Sequence, residues 1–338
     1  MLTAPPFFRP LPVLSVATLV QASGSPAPHG VATVKRLTLG LPPSQSLASW
    51  VPSDHLKVLV PRGSGGGRRH GHRSGGGGSG GGGGRVLPVK PRSYSPTSPR
   101  ERAGSLDLTF KVYAGGVAST YLDRLCVGDT LRVAGPVTPA IARPRRRGWG
   151  GAGGGQEKRR RVLGIVALGI GITGALPILV DELARGPGSG GGPDAVALVH
   201  AVRAAVEARV CADELAAAAR GSANRLSVHR IASGEAVDGW ARGRVNAPFL
   251  SSVVVAAAAG GLSAADGGAI CERDGVSGDA AAASSPLVRW VVVGSKAQMR
   301  SVWDVLGGMG YPRWSTALYL KTIVPRGGGK AVSAAAAK

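Results

Sequence analysis

Val162 to Val180 reads VLGIVALGIGITGALPILV and follows the basic run Lys158-Arg159-Arg160-Arg161. Two structures are compatible with this stretch. As one helix it has about the minimum apolar length for a membrane span, with a cationic flank that belongs on the cytoplasmic side. As strand, turn and helix, Val162 to Leu168 lacks polar alternation because a central strand of a parallel sheet is buried on both faces. Gly169-Ile170-Gly171 is then the turn, and Ile172 opens a helix whose free N–H groups face an anionic ligand. The first structure makes a membrane anchor, the second a nucleotide-binding enzyme.

The flanking chain favours the second. Leu11 to Gln21, Val31 to Leu41, His55 to Val60, Ser105 to Tyr113 and Thr130 to Val133 have strand patterns, with a short helical run at Thr120 to Leu125 and glycine turns between them. Arg92 to Pro96 leads into a polar turn, and Gly135-Pro136 closes the last strand. Many short strands and one short helix describe a small antiparallel barrel. Beyond Val180, Ala195 to Val202, Arg225 to Ile231, Leu287 to Val293 and Thr316 to Ile323 read as strands. Helices are expected at Ala205 to Arg220, after Gly243 to Asn246, and at Gln298 to Leu306. Strands alternating with helices predict a parallel sheet. A membrane span would interrupt that alternation, whereas strand, turn and helix continue it. Four glycines and Pro177 within the stretch also disfavour a straight lipid-facing helix.

Composition sets the limits. A chain of 338 residues has room for two cores. With 54 glycines and 4% aromatic residues, much of it is expected outside packed structure. The domain reading is a barrel over residues 11–139 with a disordered insert at 63–85, a Gly/Arg-rich linker at 140–157, and an α/β domain over 158–325 with a flexible insert at 260–285. The net charge of +22 points to an acidic partner, an anionic membrane surface or nucleic acid. Much of that excess sits in Gly-rich segments, where solvated loops are the alternative explanation. Cys126, Cys211 and Cys271 form no CxxC pair, and His70-Gly71-His72 has no further ligands nearby, so no disulfide framework or metal site is expected. The N-terminal run is cut by prolines, which argues against a secretory signal; an intracellular location is expected, with mitochondrion and cytosol both open.

The order of motifs resembles the flavoprotein reductases typified by NADH-cytochrome b5 reductase and ferredoxin-NADP reductase. Its most specific part is Arg92-Ser93-Tyr94-Ser95, then FKVYAGGVASTYL at Phe110 to Leu122, then Gly128-Asp129 and Gly135-Pro136. The residue chemistry agrees: Arg92 suits a pyrophosphate, Tyr94 offers a flat ring, Ser95 a hydroxyl, and Gly116, Val117, Ala118 and Ser119 present backbone N–H groups at a helix start. The resemblance implies that these residues, with Lys111 and Tyr113, hold FAD, and that Ser95 and Thr173 stand at the site of transfer. Gly169, Gly171 and Thr173 resemble the family's GxGIT segment, and Gly294 and Met299 its CGPxxM loop, both facing the nicotinamide nucleotide. Val293 and Ser295 replace the cysteine and proline of that loop, and Leu168, Ile170 and Gly174 also depart from the family pattern.

The function implied is transfer of electrons from NADH or NADPH through FAD to an acceptor such as an acidic haem protein. A catalytically degenerate structural or assembly subunit with the same fold is the alternative. Charge alone offers a third reading, a loop-mediated binder of membrane or nucleic acid; on the reductase reading, peripheral membrane contact stays open and no specific nucleic acid is expected.

Overall fold

Strand β1 (Arg9–Gln21) serves two neighbours in succession. Arg9 to Pro12 pair antiparallel with β6 (Thr130–Val137), and from Val13 onward the strand pairs with β2 (Val31–Gly40). The register shifts between Val13 and Ser15, at the handover, where a bulge lets one strand bend around a barrel corner. With β3 (His55–Val60), β4 (Lys90–Tyr94) and β5 (Ser105–Tyr113), the six strands run in the order β4-β3-β6-β1-β2-β5. Leu37, Leu39, Leu56, Leu106, Phe110 and Leu131 fill the interior. The chain just past edge strand β4 meets β5 at an isolated bridge, Pro96 to Leu108, and Tyr94 of β4 makes an edge-to-face contact with Phe110, centroids 6.5 Å apart. Between them the barrel keeps a seam, and α1 (Val117–Asp123) lies beside it.

The computed structural model describes residues 8–21, 31–60, 90–113, 115–138, 159–187, 191–259, 286–311 and 316–320. The expected inserts at 63–85 and 260–285 and the linker at 140–157 lie outside the described residues.

The second half is a sheet of β7 (Arg161–Leu168), β8 (Ala195–Val202), β9 (Leu226–Ala232), β10 (Ala241–Arg242), β11 (Leu287–Gly294) and β12 (Thr316–Leu320). Its order is β10-β9-β8-β7-β11-β12, and every pairing is parallel. Strand β7 is central: Leu163, Ile165 and Ala167 enter one apolar layer and Val162, Val166 and Leu168 the other. The two-sided burial explains the unbroken hydrophobic run. A 3-10 turn at Gly169–Gly171 leads into α2 (Ile172–Ala184), and no helix among the described residues is long and apolar enough to cross a membrane. The chain leaves β7 for β8 on one side and returns to β11 on the other, so the glycine turn sits where the strand order reverses, the usual ligand crevice of such sheets.

Three expectations need correction. The stretch from Lys90 to Tyr94 is a strand rather than an approach to a turn, and its Pro91 is tolerated because β4 is an edge. Strand β6 continues through Gly135-Pro136 to Val137, pairing with β3. The single helix expected over Ala205 to Arg220 is a 3-10 turn, Ala205–Arg209, and a separate α3 (Ala212–Arg220), broken at Cys211, whose φ is 57°. Helices α4 (Ala247–Ala258) and α5 (Lys296–Gly308) complete the half.

Gly164 has a packing role. The Trp290 ring, from the neighbouring β11, lies over it, and a β-carbon there would stand 2.3 Å from the ring. Gly164→Ala is expected to cost about 1–3 kcal/mol through forced displacement of the indole, read as a lowered urea midpoint with an unchanged m-value.

Candidate active site

A cleft of about 330 Å³ occupies the barrel seam. Strand β4 supplies Arg92, Ser93 and Tyr94, and β5 supplies Thr109, Phe110, Lys111 and Tyr113. The remaining barrel wall is Gly116 to Ser119, at the start of α1, and Ile170 of the glycine turn lines it from the sheet domain. Strand β4 is separated in sequence from β5 and α1, and barrel closure brings their residues to one cleft.

Each wall has a distinct chemistry. Arg92 carries a buried guanidinium nitrogen, Nη1, with no hydrogen-bond partner among the described residues. A buried donor of that kind is costly unless an acceptor is supplied. Burial pushes the Tyr94 phenol up to about 12, against the opposing influence of Arg92, so the ring is neutral. At the start of α1, Ser119 Oγ donates to the Gly116 carbonyl and accepts from the Tyr113 N–H, both at 3.1 Å. A β-carbon on Gly116 would stand 2.5 Å from that hydroxyl and would displace it from both bonds. The first turn of α1 has no side-chain cap, and its N–H groups have no intrahelical acceptors. Tyr113 and Val117 expose 40% and 46% of their surface, an apolar rim next to these polar groups. An aromatic dinucleotide with a central pyrophosphate fits this donor set: a lone cation, uncapped amides and flat apolar rings.

Lys111 joins the barrel to the sheet domain. Its ammonium is bonded to Glu207, and both side chains are buried. Glu207 also accepts the backbone N–H of Arg203 at 2.9 Å, which the tight 3-10 turn at Ala205–Arg209 makes reachable. Burial alone would raise the Glu207 carboxyl, but Lys111 and the backbone N–H groups of Arg203 and Ala204 outweigh it and hold the group below its usual range. Gly169 turns against this pair: its φ is +55°, and a β-carbon there would stand 3.2 Å from Lys111 Nζ. Two further ion pairs among the described residues cross between the halves, Arg36 with Glu214 and Arg100 with Asp181.

The other expected site residues do not line the cleft: Gly169, Gly171, Thr173 and Gly294 lie at the turn, and Ser95 and Met299 lie elsewhere. A β-carbon on Gly171 would meet the Val293 carbonyl at 2.3 Å, and one on Gly294 the Leu168 side chain at 2.8 Å. These glycines let two strand ends close on each other. The Thr173 hydroxyl donates to the Ile170 carbonyl at 2.9 Å, bracing the turn from within. Ser95 is buried next to Tyr94 in the chain. Met299 is in the apolar layer with Trp290 and Val302. Ser295 and Gln298 form a capping box that starts α5, and Asn246 caps α4 by accepting from Phe249 N at 2.9 Å.

His200 was not anticipated. It lies at the carboxyl end of β8 between Ala167 and Arg230 of the neighbouring strands and is 1% exposed. Its ring is tilted against Trp240, centroids 5.3 Å apart. Burial pushes it down to about 4; Glu207 opposes that shift, while Arg230 and Lys111 add to it. A single histidine within an apolar strand carries no sequence signal that separates it from ordinary packing.

Residues 89–140 match the family model described as the oxidoreductase FAD-binding domain. NADH-cytochrome b5 reductase 1 of Aspergillus terreus is 36% identical over 100 residues, covering 30% of this chain and 29% of that protein. The Dictyostelium discoideum protein of the same name is 34% identical over 88 residues, covering 26% of each. The chain thus spans under a third of the length of the curated relatives it matches. Among solved structures, the cytochrome b5 reductase domain of Ulva prolifera nitrate reductase aligns with a TM-score of 0.55 at 17% identity, over 92% of this chain and 97% of that one. The Neisseria gonorrhoeae ferredoxin NADP+ reductase, solved with FAD and NADP, aligns with a TM-score of 0.56 at 16% identity, over 92% and 96%. The fold is that of these two-domain reductases, and the resemblance read from the sequence is borne out.

His200 gives a pH prediction. Between pH 6.5 and about 4 the unfolded chain takes up a proton that the folded chain refuses. The stability carried by the neutral ring is therefore complete above pH 6.5 and lost as the pH falls through that window. The stability of the wild type relative to His200→Phe is expected to fall by about 3 kcal/mol between pH 7 and 4, read from urea midpoints at each pH.

Proposed function

We propose that the chain is an FAD-dependent NAD(P)H oxidoreductase of the cytochrome b5 reductase kind, with the flavin in the barrel seam and NADH or NADPH entering over the glycine turn. The observation that carries this reading is the Arg92 nitrogen left without a partner in a cleft whose sheet-domain wall is the switch-point residue Ile170. The similarity of residues 89–140 to FAD-binding oxidoreductase domains supports it, as do the names of the relatives.

In this reading Arg92 neutralises the pyrophosphate by a charge-assisted bond, and the α1 amides share the same charge. Tyr94 and Phe110 give the ring system an apolar seat, with Tyr94 neutral. The chemistry that FAD supplies when bound is acceptance of two reducing equivalents from nicotinamide and their release as single electrons. The chain's contribution is orientation and exclusion of water. The Lys111–Glu207 pair holds the two halves in contact, and the glycine turn brings Ile170 to the flavin wall. No thiol stands at Val293; its side chain packs into the apolar layer with Ala167 and Val34. The net charge of +22 suits an acidic haem protein as acceptor, steered electrostatically.

The purified full chain is expected to carry or take up one FAD per chain, released on denaturation. Arg92→Leu is expected to weaken FAD binding about 10- to 100-fold, the loss of one charge-assisted hydrogen bond to a buried anion. A wild type that takes up no FAD contradicts the proposal.

A further inference from the structure

Strand β4 gives three consecutive residues to the cleft, Arg92, Ser93 and Tyr94. Successive side chains of a strand point to opposite faces, so the cleft wraps around this edge strand and is lined from both sides of it. The register with β3 tells the sides apart. Arg92 and Tyr94 stand opposite Val58 and Leu56, which belong to the barrel core, whereas Ser93 stands opposite Lys57 on the other face. Lys57 Nζ donates to Ser93 Oγ at 2.6 Å. That bond takes up a lone pair of the hydroxyl and leaves its hydrogen free to donate to a further acceptor.

Charge sets this pair apart from its neighbours. On β2 and β5, Lys35 faces Asp123, Arg36 faces Glu214 and Lys111 faces Glu207. Lys57 and Arg92 face no carboxylate among the described residues; the first has a neutral serine and the second an unpartnered nitrogen. Lys57 is half-buried, and burial pulls its ammonium below the ordinary lysine range. A cation withdrawn from water without a counter-charge is costly, and an anion brought to it offsets that cost. Two such cations sit on paired strands and flank one edge of the cleft. They match a ligand with two neighbouring negative charges, as the diphosphate bridge of a dinucleotide has.

We propose that Lys57 and the Ser93 hydroxyl form a second phosphate-binding element of the flavin cleft, which takes one phosphate of the FAD diphosphate while Arg92 takes the other. This rests on the reductase reading given above. Lys57 supplies the charge and orients the hydroxyl; Ser93 makes the contact. Lys57 is on β3, outside residues 89–140 that match the FAD-binding model, so the similarity does not assign it this role.

The test uses the full chain as wild type, Lys57→Met, Lys57→Arg and Ser93→Ala. Two quantities are measured at pH 7.5: the dissociation constant of FAD at low and at high salt, and the urea midpoint of the FAD-free chain. Lys57→Met is expected to weaken FAD binding about tenfold at low salt, the equivalent of one charge-assisted hydrogen bond, and the loss should shrink at high salt. Ser93→Ala is expected to weaken it about three- to tenfold. Lys57→Arg keeps the cation and should stay within about threefold of wild type. All three should keep the wild-type urea midpoint, because the element serves the ligand and not the barrel. If Lys57→Met does not fold, Lys57→Gln takes its place. FAD affinity within about twofold of wild type in the Met or Ala variant overturns the proposal. So does an equal loss in Lys57→Arg, or a loss that salt does not change, which marks a packing role. A wild type that takes up no FAD refutes the reductase reading instead. Calorimetry with inorganic pyrophosphate then decides the anion element alone: tighter binding by wild type than by Lys57→Met supports it, and equal binding or none refutes it.

Discussion

Lys111 and Glu207 form an ion pair removed from water at the junction of barrel and sheet. Each is costly to bury alone, and the pair exists only while the two halves are docked. Lys111 leaves β5 on the flavin side, and Glu207 rises from the turn after β8. The separation of the α/β helix into a 3-10 turn and α3 lets that carboxylate reach back to the Arg203 N–H and across to the barrel. The glycine at 169 is required because the turn passes within van der Waals reach of the ammonium. One electrostatic constraint thus fixes the register of the domains, the shape of the turn and the wall of the cleft.

Around it, the cleft follows from the topology of an imperfectly closed barrel. The chain just past β4 meets β5 at Pro96 and Leu108, the two strands part beside α1, and the parting supplies both a cation and flat rings. A fully closed barrel would have filled this space with paired backbone. The sheet domain contributes less surface, essentially Ile170, but places it at the switch point where crevices form in parallel sheets. Function in this fold is a property of the junction.

Much of this was legible in the sequence. Strands β3, β5 and β8 have the bounds read from the pattern, and the two-sided apolar run at Val162 to Leu168 is the central strand. Arg92, Tyr94, Lys111, Tyr113 and Gly116 to Ser119, singled out from the sequence, line one cleft. The failures have local causes. Prolines at 91 and 96 disguised β4, because an edge strand tolerates what an internal one does not. Alanine-rich composition overstated the helix after β8, because tertiary demand on Glu207 overrode propensity. Gly171 and Gly294 also have a packing role that the sequence does not show: they let the strand ends at Val293 and Leu168 close on the turn. Lys111–Glu207 is a contact between residues far apart in the chain, and no periodicity encodes it.

The central claim is that barrel seam and glycine turn together form a site for flavin reduction by a nicotinamide nucleotide. The most direct measurement is an anaerobic titration of the FAD-loaded chain with NADH and with NADPH, following the visible flavin absorbance. Prompt bleaching by at least one nucleotide is predicted. A bound flavin that stays oxidised under excess of both would contradict the account.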